Sequence, residues 1–139
     1  MVFPSISLLF VCAGFLFLVA RMLFLRKTIE IHLYNTYYII TKKMVAIYGT
    51  SVMSIFALIY GLFSLLNKPL NTNLGIIHFV ITTLSIVLVI SAPVSVSVAG
   101  DYKKARQNME YLTRFCLVGL LIFCLGQTVF VLNIGWILF

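Results

Sequence analysis

The sequence predicts an all-α fold, a bundle of four transmembrane helices, on three observations. Hydrophobic residues make up 63% of the 139 positions and charged residues 9%, whereas a soluble domain carries about 25% charged residues. The apolar residues fall in four unbroken blocks rather than at amphipathic spacing, and a block of about 18 or more reads as a membrane span. The charges flank the blocks, Arg21 near the end of the first being the one that falls inside an expected span. The spans are expected at about residues 3–24, 44–66, 74–98 and 115–139, in one integral-membrane domain covering 1–139.

In the first block, Pro4 is tolerable in an opening helical turn, where its missing N–H has no partner to lose. No basic residue precedes Arg21 and no small-residue cleavage pattern follows, so a retained helix is expected rather than a signal peptide. Arg21, Arg26 and Lys27 close it at the headgroups. The stretch 29–49 is the most polar and aromatic of the chain. Its part 29–38 is expected to be a short connection, and Tyr34, Tyr37, Tyr38, Lys42 and Lys43 an interfacial belt with snorkelling lysines.

The second block carries Gly49, Ser51, Ser54, Ala57 and Gly61 at spacings of three and four. Small residues in that pattern let helices approach closely in lipid, so Gly49, Ser54, Ala57 and Gly61 are expected to form a helix-packing face. Asn67 to Asn73, with Lys68-Pro69 inside, reads as a turn. The third block carries His78 in its first turns and Pro93 near its end, where a kink is expected. A second polar connection, 100–114, has room for a short interfacial helix at its middle. The fourth block is uncharged; Gln127 and Asn133 within it are candidates for hydrogen bonds between helices.

Nine of the ten Lys/Arg lie on the first and third connections and only Lys68 on the second. The positive-inside rule then puts the basic connections in the cytoplasm and both chain ends outside. The net charge of +7 is thereby accounted for by lipid headgroups, and no nucleic-acid partner or soluble substrate is expected. Cys12, Cys116 and Cys124 all sit in apolar blocks without a CxxC pair, so they read as small hydrophobes. Glu30, Asp101 and Glu110 are the only acids, all in connections. Paired carboxylates, a phosphate loop, a nucleophile constellation and an intramembrane carboxylate are missing from the sequence, which disfavours an enzyme or a pump acting alone.

The segment His32-Leu33-Tyr34-Asn35-Thr36-Tyr37-Tyr38-Ile39-Ile40 resembles the His-Asp-Thr-Tyr-Tyr-Val-Val segment of subunit I of the haem-copper (cytochrome c and quinol) oxidases. Pro69-Leu70-Asn71, Ile77-His78-Phe79, and Ala99-Gly100 followed by Lys103-Lys104 resemble later segments of that subunit in the same order. The resemblance covers about residues 3–139 as its last four helices, and implies an oxidase-subunit-I-like bundle. In the family two histidines just after the Tyr-Tyr segment bind haem iron; here that region reads Thr41-Lys42-Lys43-Met44. A lysine amine is protonated near neutral pH and a poor iron ligand. Tyr34-Asn35 stands where the family has its magnesium-binding His-Asp pair, which removes the carboxylate a hard cation favours. Lys103 and Lys104 keep the sign of an arginine pair that contacts haem propionates. The resemblance implies the opposite membrane orientation to the charge rule.

The expected function is therefore that of a non-catalytic small subunit, a degenerate oxidase-like module that packs with other membrane subunits and stabilises a larger complex. No metal or cofactor is expected; His32, His78, Lys103 and Lys104 are the weak cofactor candidates. The expected location is a bacterial inner membrane, with the mitochondrial inner membrane as the alternative. A haem- or quinone-binding redox protein is the alternative function, and a small oligomeric pore lined by Ser/Thr of the third helix is a further one.

Overall fold

The structure, a computed structural model, describes residues 6–23, 28–33, 36–68, 70–92 and 102–138. Its elements are α1 (Ile6–Leu23), β1 (Thr28–Leu33), β2 (Thr36–Thr41), α2 (Lys42–Leu65), α3 (Thr72–Ser91) and α4 (Tyr102–Leu138). Among the described residues, three stretches are long and apolar enough to cross a membrane: Lys42–Leu65, Thr72–Ser91 and Glu110–Ile137. The apolar part of α1, Ile6–Met22, is shorter, and the remainder of the expected first span lies outside the described residues.

The helices pack antiparallel, α1 mainly on α2 and α3 mainly on α4. Hydroxyls tie the first pair. Ser7 Oγ donates to the Ala57 carbonyl at 2.9 Å, and Thr50 Oγ1 donates to the carbonyls of Gly14 and Ala46 at 3.3 and 3.0 Å. At the second pair the glycines of α4 allow contact. A Cβ on Gly119 would stand 2.6 Å from Val89 Cγ2, and one on Gly126 would stand 3.0 Å from Thr82 Oγ1. The outward surfaces are apolar, with Leu16, Leu58, Leu121 and Trp136 exposed, while His78, Thr82, Ser85 and Asn133 are buried. Polar groups turned inward and apolar groups outward is the arrangement that lipid, not water, favours.

Three expectations change. The first connection is a β-hairpin: β1 and β2 pair antiparallel from Thr28↔Thr41 to Leu33↔Thr36. Its segments are rich in Ile, Thr and Tyr, which suit a pleated surface. The third helix ends at Ser91, two residues before Pro93, because a residue preceding proline is pushed out of the helical region. Pro93 itself lies outside the described residues. The polar segment 102–114 is not a separate interfacial helix but the first turns of α4, a single helix of 37 residues, with no Gly or Pro between Asp101 and Gly119 to break it.

The helix ends are chemically defined. Thr41 Oγ1 accepts from the Met44 N–H at 3.2 Å and caps α2. At the other end Asn67 adopts φ 55°, a left-handed conformation that asparagine tolerates. Lys68 N–H then reaches the Phe63 carbonyl at 3.1 Å, and Asn67 N–H the Ser64 carbonyl at 3.2 Å, closing the helix in the paired-bond pattern of a Schellman motif. Lys42 does not snorkel. It is buried and its Nζ donates to the carbonyl of Ala92, the C-cap of α3, where a cation meets the negative end of the helix dipole. That bond, with the packing of β1 on α4, puts both polar connections at the same end of the molecule.

Candidate functional site

The buried polar groups converge at the opposite end, where α2, α3 and α4 meet under the ring of Phe10 from α1. Asn71 opens α3: its side chain accepts from the N–H groups of Asn73 and Leu74 at 3.0 and 3.3 Å, the bonding expected of an N-cap. Its backbone is held by Asn133 of α4, whose Oδ1 accepts from Asn71 N–H at 2.9 Å while Nδ2 donates to Asn71 O at 3.2 Å. Nδ2 also donates to Tyr60 Oη at 3.5 Å, and Tyr60 Oη lies 3.1 Å from His78 Nδ1. Tyr60 Oη and Nδ1 thus share one hydrogen bond, whose direction follows the imidazole tautomer. Gln127 lies beside that ring.

Aromatic rings close around the imidazole. Phe56 stands edge-on at 4.5 Å between centroids, Phe130 is stacked at 5.0 Å, Phe10 at 5.3 Å and Tyr60 at 5.9 Å. His78 is wholly buried. His78, expected in the first turns of the third span, faces inward, on the same stripe of α3 as Thr82 and Ser85, spaced by four and three so that they share one helical face. His78 Nε2, Thr82 Oγ1, Thr83 Oγ1 and Gln127 Nε2 are buried without a hydrogen-bond partner among the described residues. Within a span these atoms are costly against hydrocarbon, which accounts for their orientation away from it.

The weak cofactor candidates are not brought together. His32 is on β1 in the hairpin, and Lys103 and Lys104 are in the first turn of α4, all at the basic end; for these positions only the backbone is described. His78 is bonded to Tyr60, which lies five turns along α2 from Lys42, about 27 Å at 1.5 Å per residue. Of the interfacial candidates, Lys42 is buried, Lys43 is half-buried, Tyr37 and Tyr38 lie on β2, and Tyr34 lies outside the described residues.

Haem does not fit the described surroundings of His78. An axial histidine needs a nitrogen facing open volume, whereas Nδ1 of His78 is engaged by Tyr60 and aromatic rings occupy the surroundings of the imidazole. At the positions where the family's iron-binding histidines would align, Thr41 caps a helix, Lys42 bonds to Ala92, and the Met44 side chain is exposed. Among the described residues no cluster of three or more His, Cys, Asp or Glu is placed to hold a metal ion.

The packing face expected on α2 is also redistributed. Gly49 and Ala57 are buried inside the chain's own bundle, where a Cβ on Gly49 would meet Ile86 Cγ2 at 2.9 Å and Phe17 at 3.5 Å. Gly61 is half-buried and Ser54 exposed. Sequence reasoning passed over Tyr60, Phe10, Gly119 and Gly126. The seven-residue spacing of the two glycines, two helical turns, was the available signal. Asn133, singled out from the sequence as a hydrogen-bond candidate, is the residue that joins all three helices. Asn133→Leu is expected to lower stability by about 1 kcal/mol, read as a shift in the denaturant midpoint of the purified protein. An unchanged midpoint overturns its role as a tie.

No family model matches the chain. It is 25% identical over 112 residues to cytochrome c oxidase subunit 1 of Thermostichus vulcanus, a match covering 78% of this chain and 20% of that protein. The chain thus spans about a fifth of the length of that relative, to whose family it is distantly related. No solved structure matches.

Proposed function

We propose that the chain is a non-catalytic membrane module, similar to part of an oxidase subunit I, that packs beside other membrane helices and stabilises a larger complex. The observation that carries this reading is the enclosure of His78. The imidazole buried in the helices is used to fasten α3 to α2 through Nδ1 and is packed among aromatic rings. The distant relationship to oxidase subunit 1 supports the membrane-complex setting.

Burial supports putting the partner surface on α4. Only 11% of the Glu110–Ile137 span is buried, against 33% for each of the other two, so of these three spans it has most surface left for a neighbour. Its outward side presents Leu121, Leu125, Leu132 and Trp136. Gly49, expected from the sequence to face a partner, is enclosed, so its substitution would test folding instead.

Extraction in mild detergent followed by mass spectrometry is expected to recover other membrane subunits in near-stoichiometric amount, and a pyridine haemochrome assay to find no stoichiometric haem. Replacing Leu125 and Trp136 together by alanine is expected to reduce the recovered partners while leaving helix content unchanged. A stoichiometric Soret band abolished by His78→Ala or His32→Ala overturns the proposal, as does recovery of the chain without any partner.

A further inference from the structure

Tyr60 and His78 tie α2 to α3, and Asn133 ties α4 to the start of α3 at Asn71. Deeper along the contact of α3 with α4, the polar side chains are not yet accounted for. His78 Nε2, Thr82 Oγ1 and Gln127 Nε2 are buried with no hydrogen-bond partner among the described residues. They are neighbours. Thr82 follows His78 by four positions, on the same face of α3. A Cβ on Gly126 would stand 3.0 Å from Thr82 Oγ1, which brings the adjoining Gln127 to the same level, and Gln127 lies beside the imidazole. Thr83 Oγ1 also lacks a partner among the described residues, but it is about 100° further round α3 and belongs to another face.

The chemistry of these groups narrows the choice of ligand. His78 and Thr82 have no exposed surface, so neither bulk water nor a lipid headgroup serves them. No Lys, Arg, Asp or Glu occurs from residue 69 to 100 or after Arg114, so an ion at this depth would have no balancing charge. Phe56 and Phe130 stand 4.5 and 5.0 Å from the imidazole between centroids, and a polyatomic ligand would have to displace a ring. The amide Nε2 of Gln127 needs an acceptor, the Thr82 hydroxyl takes either role, and the role of His78 Nε2 follows its tautomer. A single atom that both donates and accepts satisfies all three in either tautomer. Water is that ligand, and a buried water commonly makes about three bonds to groups the protein leaves unmet. Immobilising one water costs less than leaving such groups unmet in a span.

We propose that α3 and α4 enclose a structural water molecule bonded to His78 Nε2, Thr82 Oγ1 and Gln127 Nε2, which fastens α4 to the middle of α3. The site is independent of the partner reading, since it needs only the folded chain.

The first test is a double-mutant cycle on the full chain in micelles. Thr82→Val and Gln127→Leu keep the side-chain volume and remove the polar atoms. Each is expected to lower the folding equilibrium constant about fivefold, because it strips a partner from the water and from the groups that share it. Together they are expected to lower it about tenfold, not the roughly twenty-five-fold of independent sites. Single variants that leave the denaturant midpoint unchanged or raise it, or effects that simply multiply, overturn the proposal. The second test needs no variant to fold. The chain has two histidines, so histidine labelling in deuterated micelles isolates the His78 ring protons by NMR, with His32→Asn for assignment. A water cross-peak with the sign of a long-lived contact is expected at His78. It should survive Tyr60→Phe, which removes the neighbouring hydroxyl as a relay. Its absence from wild type overturns the proposal; coupled variants without that peak would identify a direct bond between the side chains instead.

Discussion

Phe10→Ala is expected to lower stability by about 3 kcal/mol, the largest effect of any single truncation in the bundle. Phe10 has no exposed surface, and its ring lies 5.7 Å from Phe56, 5.4 Å from Tyr60, 5.3 Å from His78 and 5.1 Å from Phe79. One side chain of α1 thus touches rings on both α2 and α3. Lipid is as apolar as the side chain, so transfer from solvent contributes little here. What is lost is dispersion across a void that rigid rings cannot close. Denaturant unfolding in micelles, followed by circular dichroism, reads the effect. Phe10→Leu, which refills part of the space, is expected to recover more than half of it, and a loss below about 1 kcal/mol for Phe10→Ala would show that the rings repack and do not form a rigid core.

Gly119→Leu with Gly126→Leu is expected to cost about 4 kcal/mol, from overpacking worth roughly 1–3 kcal/mol at each position. The two glycines are where α4 comes closest to α3. Even a Cβ at Gly119 would stand 2.6 Å from β-branched Val89, with the Ser85 carbonyl 3.6 Å away, and a Cβ at Gly126 would meet Thr82 and Ile81. Branched side chains have few rotamers into which to retreat; the helices must separate. A cross-link between Cys116 and a cysteine introduced on α3 reports that separation. Gly135→Leu is the control, since nothing lies within 4 Å of a Cβ there, and it should leave the midpoint unchanged. Equal loss in the control would make added bulk anywhere on α4, rather than close approach to α3, the cause.

The helices and their order were legible because hydropathy registers length and composition directly. The second span was expected at 44–66 from hydropathy alone, with its lysines left outside, whereas α2 runs Lys42–Leu65 and starts at the Thr41 cap, a signal the sequence reading did not use. The hairpin was hidden by the membrane context. Tyr37, Tyr38, Lys42 and Lys43 fit an interfacial belt one at a time, so the Ile-, Thr- and Tyr-rich runs on either side of Tyr34-Asn35 were not weighed as paired strands. The start of α4 was missed because charge was taken as a boundary, although the segment from Lys103 to Arg114 holds no breaker. The candidate site was the least legible part. Whether His78 faces lipid, solvent or interior depends on the rotation of α3 relative to α2 and α4, and one strand of sequence holds no information on that angle. Its hydrogen-bond partner, Tyr60, comes from another helix.

Thr41 is at once the last residue of β2 and the cap of α2. The hairpin therefore joins the span without a slack residue, and Lys42, the next position, is pinned to the end of α3. A torque applied to the hairpin from the aqueous side cannot dissipate in a hinge at that joint. It must turn α2 about its long axis or break the lysine's hold, which makes the two strands a stiff handle on the embedded helices.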